Sequence, residues 1–171
     1  EADDVIKVHE VLVARIFNEI LGLNIKTPMR RMTYKEALDD YGIDRPDLRF
    51  DMKLKNVSDI AGKGTFKVFN SAIQSGGIVK GLCAPGGGEK YSRNDIEKTL
   101  TSFAADYGAK GLAWFKAKNE NSKMTLVSNL SKFFSPEQLE EMANRFGAKD
   151  GDLVLLVAAD EKAANKALAP L

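Results

Sequence analysis

A chain of 171 residues, 44% hydrophobic and 29% charged, fits one globular domain or a domain with an attachment, and is long enough to bury most of its apolar surface. Its 25 Lys and Arg against 24 Asp and Glu leave a formal net charge of +1, which excludes a strong generic surface for nucleic acid or membrane but leaves room for a local basic patch. One cysteine, Cys83, excludes an internal disulfide and a multi-cysteine zinc site, as suits the cytosol, and no apolar run approaches the roughly 20 residues of a membrane span. The first residues, Glu1-Ala2-Asp3-Asp4, are acidic, unlike a signal peptide, and Glu1 in place of methionine leads us to expect a piece of something longer.

A first helix is expected from the acidic start, capped by Asp3 or Asp4. Val5, Val8, Leu12, Ile16, Ile20 and Leu23 recur at spacings of three and four, Val13 and Phe17 widen the stripe, and Gly22 lies at its end, before Thr27-Pro28. A stripe this apolar needs a cover, either the rest of this chain or a partner outside it. Thr33 and Glu36 then form a T-x-x-E capping box, so a second helix begins at Tyr34 and stops at Gly42. Asp44-Arg45-Pro46-Asp47 is a turn, and Phe50, Met52 and Leu54 alternate with charged residues as the start of a strand.

Beyond Gly62-Lys63-Gly64, the run Thr65 to Ile73 with Phe66, Val68 and Phe69 reads as a strand, Ser75-Gly76-Gly77 as a turn and Ile78 to Ala84 as a second strand, together a hairpin closed off by Pro85-Gly86-Gly87-Gly88. Ser92 and Asp95 open a helix carrying Ile96, Leu100, Phe103 and Tyr107, ended by Gly108. Ser135, Pro136 and Gln138 open another with a capping box, carrying Leu139, Met142, Ala143 and Phe146, ended by Gly147. Each helix leads into a strand, Gly111 to Lys118 and Leu153 to Ala158, and the endings Tyr107-Gly108-Ala109-Lys110 and Phe146-Gly147-Ala148-Lys149 make a weak internal repeat. Met124 to Val127 is a short strand between the two, and a last helix, Glu161 to Leu168, is capped by Asp160. These elements predict an α+β layer fold with the main helices on one face of a sheet.

Four patterns invite a chemical reading. Gly86-Gly87-Gly88-Glu89-Lys90 fails as a phosphate loop, because a Walker loop needs Gly directly before the lysine and Ser or Thr directly after it, where this chain has Glu89 and Tyr91. His9 and Cys83 could form a base and a nucleophile, but nothing orients the histidine, and a small buried thiol is the plainer reading. Asp44 and Asp47 could be an acid–base pair or metal ligands, though aspartates in a proline turn more often cap its amides. Arg30, Arg31, Arg45 and Arg49, with Tyr34 and Tyr41 nearby, form a basic cluster on which bases could stack, partly offset by Asp39, Asp40, Asp44 and Asp47. Lys80, Lys90 and Arg93 beside the glycine turns are a second candidate set for RNA backbone. The RNA-contact candidates are therefore Arg31, Arg45, Arg49, Lys80, Lys90 and Arg93; no catalytic residue and no metal ligand is assigned.

Arg31-Met32-Thr33-Tyr34 followed by Tyr41-Gly42, Asp44 and Pro46-Asp47-Leu48-Arg49-Phe50 resembles bacterial-type aspartyl-tRNA synthetase, in which a similar segment leads from the class II catalytic domain into an inserted GAD domain. The family usually has Ser-Asp-Lys-Pro-Asp where this chain has Ile43-Asp44-Arg45-Pro46-Asp47. The resemblance continues through Phe66-Lys67-Val68-Phe69, Gly76-Gly77, Val79-Lys80, Pro85-Gly86-Gly87, Ser92-Arg93, Tyr107 to Trp114, Lys132-Phe133-Phe134-Ser135 and Gly151-Asp152-Leu153. It implies residues 1–50 as a flank of the catalytic domain and residues 51–171 as a GAD domain, with a β-β-α-β-β-α core and a mainly antiparallel sheet. It also implies a cytoplasmic, homodimeric parent that joins aspartate to tRNA(Asp) with ATP and magnesium, with no membrane and no DNA as partner. The class II motifs 1, 2 and 3, whose arginines hold ATP in the family, are not found in this chain, so the expected fragment does not activate aspartate alone. The alternative is a free-standing binding module of similar fold, which would have no reason to carry the stretch Arg31 to Phe50.

Overall fold

The computed structural model describes residues 1–171, which divide into two compact units, Glu1–Thr33 and Tyr34–Leu171. In the first unit α1 (Ala2–Leu21) ends at Gly22, whose φ of 64° lets the Leu23 amide reach back to the Phe17 carbonyl. Its N-cap is Glu1, where Asp3 or Asp4 was expected, and Asp4 completes the capping box as the third helical residue. The strand of chain that follows turns back along the helix: the Met29 amide donates to Glu10 and Arg31 pairs with Asp3. No residue of α1 is buried. Within this unit, then, the apolar stripe of α1 stays open.

The second unit begins at α2 (Tyr34–Tyr41), at the residue the capping signal predicts, and α2 ends at Gly42 with φ 73°. The expected strand from Phe50 shrinks to β1 (Lys55–Asn56), because only those two residues find a partner strand. Next come α3 (Ser58–Ala61), α4 (Lys67–Gln74) and β2 (Ile78–Ala84). The short α5 (Gly87–Lys90) leads to a π-helical stretch, Asp95–Leu100, that runs into α6 (Thr101–Asp106). The chain closes with β3 (Ala113–Glu120), β4 (Lys123–Val127), α7 (Pro136–Phe146), β5 (Leu153–Ala159) and α8 (Glu161–Leu168).

Residues 65–73 are thus not a strand, and the expected hairpin is replaced by a helix–strand pair. Helical spacing explains it: Phe66, Phe69 and Ile73 share one side, packing Phe69 to 1% exposure and bringing its ring edge-on to Phe66 at 4.9 Å, while Val68 stays 59% exposed. The order β-β-α-β-β-α is met by β1, β2, α6, β3, β4 and α7, with α3 and α4 placed between the first two strands.

The sheet is antiparallel throughout, in the order β1-β2-β5-β3-β4, so the α+β class with an antiparallel sheet holds. The helices cover both of its faces, where one was expected. Alternate residues of β5 divide between two cores: Val154 and Leu156 join Phe69, Phe115 and Met142, whereas Leu153, Leu155 and Val157 join Ile96, Ala104 and Leu168. A strand buried on both sides needs an unbroken apolar run, and Leu153 to Val157 is one. The internal repeat is present. Ala109 and Ala148 follow positive-φ glycines, each donates back into its helix, to Ala104 and Ala143 respectively, and each is buried, but on opposite faces of the sheet.

Candidate functional site

The face of the sheet that carries Leu82 and Leu155 is covered by α8, and α2 lies against α8. Gly42 makes that approach possible. A Cβ there would sit 2.9 Å from the Asn165 carbonyl and 3.0 Å from Leu54, besides the positive φ. Between the two helices runs an open groove of about 1090 Å³, walled by Tyr34, Leu38 and Ile43 on one side, by Lys162, Lys166 and Pro170 on the other, and reached by Tyr107 at the end of α6. On α8 and its cap Ala169, residues 162, 165, 166 and 169 fall at helical spacing and so share the groove-facing side.

The floor of the groove is polar in one place. Lys80, from β2, is only 3% exposed, and its ammonium donates to Asn165 Oδ1 at 2.7 Å and to the Leu38 carbonyl at 3.2 Å. Burial pushes its pKa down, against the pull of Glu161, Asp39 and Asp40. Asn165 is itself 6% exposed and lines the groove. Its oxygen is taken by a group that can only donate, so the amide orientation is fixed with the NH₂ as its free end. At the rim Lys35 pairs with Asp39 at 2.5 Å, each strengthening the charge of the other, which raises the lysine pKa and lowers that of the aspartate.

Of the six residues singled out from sequence for RNA contact, Lys80 is the one spent inside the fold. Arg31 is exposed and pairs with Asp3 at 2.6 Å. Arg45 is exposed in the turn after α2. Arg49 is exposed and held by Asp47 through Nε at 2.9 and 3.0 Å and through Nη2 at 2.5 Å. Lys90 lies over the Tyr91 ring at 5.5 Å, and Arg93 pairs with Glu97 at 2.7 Å. None of these five lines the groove. Tyr34 belongs to both readings, as a stacking residue in the sequence and as a groove wall 69% exposed in the structure. Sequence reasoning passed over Tyr107, Lys162, Asn165 and Lys166. For Lys162, Asn165 and Lys166 the signal was the polar spacing on the last helix, which reads equally as a solvated face, and Tyr107 at the end of α6 carried none.

The other readings resolve locally. Asp47 accepts the Arg49 backbone amide at 3.0 Å as well as its guanidinium, and the side-chain bond first, then the backbone bond, bring its pKa down to about 2. It acts as a turn cap. His9 Nδ1 lies 2.8 Å from the Val5 carbonyl of its own helix. Cys83 Sγ faces Asp152 at 3.7 Å, and burial, aided by that carboxylate, pushes the thiol up to about 12. The glycine turn spends its amides internally: Gly86 donates to Asp152 Oδ1 and Gly88 to the Gly151 carbonyl, both at 2.8 Å. No three His, Cys, Asp or Glu side chains gather as a metal-binding group. No helix is long and apolar enough to cross a membrane.

Comparison with known proteins gives consistent matches. The GAD domain family matches residues 69–168. The chain is 45% identical over 171 residues to the aspartate–tRNA ligase of Clostridium perfringens (strain SM101 / Type A), which covers 100% of this chain and 28% of that protein. It is 44% identical over 171 residues to the aspartate–tRNA ligase of Macrococcus caseolyticus (strain JCSC5402) and, at the same identity and length, to the aspartate–tRNA(Asp/Asn) ligase of Moorella thermoacetica, with 100% and 28% covered in both cases. The chain thus spans 28% of the length of these relatives.

Proposed function

The chain belongs to the GAD domain family, and from that premise we propose that it is the GAD-containing part of a bacterial-type aspartate–tRNA ligase. The observation that carries this reading is the likeness along residues 1–68, outside the GAD match, where a free-standing module would have no reason to follow a ligase. In this reading residues 1–50 flank the catalytic domain and residues 51–171 are the inserted domain. The parent joins aspartate to tRNA(Asp) in the cytoplasm as a homodimer, using ATP and magnesium held by other parts of the enzyme. This chain is a scaffold beside the active site that touches the tRNA, and neither DNA nor membrane is a partner. The exposed arginines of the seam, Arg45 and Arg49, and Lys90 and Arg93 beyond the glycine turn, are the proposed contacts to RNA backbone, with Arg31 in the flanking unit.

The test is a chimera in which this chain replaces the matching segment of the Clostridium perfringens ligase. It is expected to aspartylate tRNA, while the chain alone catalyses no aspartate-dependent pyrophosphate exchange. Exchange at enzyme-like rates by the chain alone, or a folded chimera without aspartylation, would sink the reading. Titration of the chain with aspartate tRNA and an unrelated tRNA over salt adds a second readout: selective binding at physiological salt supports direct tRNA contact, and a purely salt-driven response reduces it to phosphate attraction.

A further inference from the structure

We propose that the groove between α2 and α8 binds an unpaired nucleotide of an RNA strand, with Asn165 reading an acceptor on the base and Tyr34 stacking on its face. The inference rests on the ligase reading for the identity of the strand as RNA, and on the groove itself for the rest.

The walls are largely apolar and aromatic, which suits a flat ring and not an extended chain of charges. Tyr34 is 69% exposed, so its ring is free to take a base, and stacking on tyrosine is indifferent to which base it is. The floor adds direction. Asn165 is more than nine-tenths buried, lines the groove, and makes no side-chain hydrogen bond other than the one its oxygen accepts from Lys80. An asparagine with both ends free pairs with adenine, donating and accepting at once. Lys80 binds one lone pair of the Asn165 oxygen and so turns the NH₂ towards the groove as the donor, and the base edge that accepts twice is that of guanine, through O6 and N7.

Charge supports a phosphate at the rim. Asp39 is neutralised by Lys35, which leaves Glu161 as the single unpaired acid against Lys162 and Lys166, with buried Lys80 beneath. A modest positive balance of this kind takes one phosphate and not a duplex backbone, in line with the formal net charge of +1.

Fluorescence anisotropy of a labelled, guanine-containing single-stranded oligoribonucleotide tests the proposal on the full chain. Tyr34→Ala is expected to weaken binding about tenfold or more, and Tyr34→Phe to restore it. Asn165→Asp keeps a partner for Lys80 and so keeps the fold, while turning the floor from donor to acceptor; it is expected to weaken guanine-containing strands about tenfold and to erase their advantage over adenine-only strands. Circular dichroism confirms that each variant is folded. Affinities unchanged in both Tyr34→Ala and Asn165→Asp would overturn the proposal, as would equal affinity for guanosine monophosphate and the oligonucleotide, or for duplex and single strand. If a segment of the parent fills the groove, Tyr34→Ala in the full-length chimera lowers stability and leaves tRNA affinity unchanged, which also overturns it. A chimera that aspartylates normally while the variants bind RNA like the parent chain removes the groove and leaves the ligase reading standing. A chimera that fails while the variants lose binding removes the ligase reading and supports the groove.

Discussion

The ammonium of Lys80 lies 2.7 Å from the side-chain oxygen of Asn165, joining β2 to α8 across 85 residues of sequence, and reaches the Leu38 carbonyl of α2 from the same nitrogen. One buried charge thus ties three elements together. Lys80→Met is expected to destabilise the fold by about 1–3 kcal/mol, because the Asn165 oxygen loses its donor in a buried place. The pH dependence has a definite sign. Burial holds the native pKa below the ordinary 10.5, so between the two values the unfolded chain binds more protons than the native one. The cost of burying the charge is fully present at neutral pH and is relieved as pH rises through that window. Denaturant melts of the two proteins should show a wild-type advantage that widens as pH climbs towards 10.5; an advantage that shrinks would contradict the burial account.

Asp47 gives the opposite sign. With its native pKa at about 2, held there by Arg49, its stabilisation is present above the ordinary carboxylate value and is lost as pH falls through about 4 towards 2. A carboxyl NMR titration should find the low value in the wild type and a return towards the ordinary one in Arg49→Ala.

Cys83 should be unreactive in the native protein. A thiol pushed up to about 12 holds almost no thiolate near neutrality, so labelling by a thiol reagent at about pH 8 should be slower than for an exposed cysteine by about a thousandfold, and should recover in denaturant. Asp152, which faces it, also accepts the amides of Gly86 and Lys149, so Asp152→Ala should cost about 3 kcal/mol in a thermal or denaturant melt.

Phe69 and Val68 separate helix from strand at residues 65–73. Phe69→Ala should cost about 3–5 kcal/mol, and Val68→Ala no more than about 0.5 kcal/mol. A strand that buried Phe66 would bury Val68 with it and reverse the order.

Much of this architecture was legible in the sequence because its signals are local. Ser135, Pro136 and Gln138 mark the start of α7 through hydrogen bonds within one turn, and Gly147 marks its end. The strand Ile78–Ala84 and the helix Glu161–Leu168 appear at the residues expected. The segment 65–73 misled because Phe66, Val68 and Phe69 favour strands by residue type, whereas the helix is selected by tertiary contact of Phe66, Phe69 and Ile73 with the core. The second covered face was written in the apolar run Leu153 to Val157, but the expectation of a half-solvated antiparallel sheet overrode it. The groove floor was not legible at all. A lysine between apolar residues is ordinarily exposed, and nothing near Lys80 in the sequence points to Asn165 or Leu38.

The position of β5 in the sheet has a consequence for synthesis. It pairs with β2 on one side and β3 on the other, yet it is the last strand to be made. Until Leu153 to Ala159 clear the ribosome, β2 and β3 have an empty lane between them, and the helices of both faces have no finished surface to settle on. The nascent domain must wait with its apolar sides uncovered and then close at once, which makes its birth a late, all-or-none event and a natural moment for chaperone attendance.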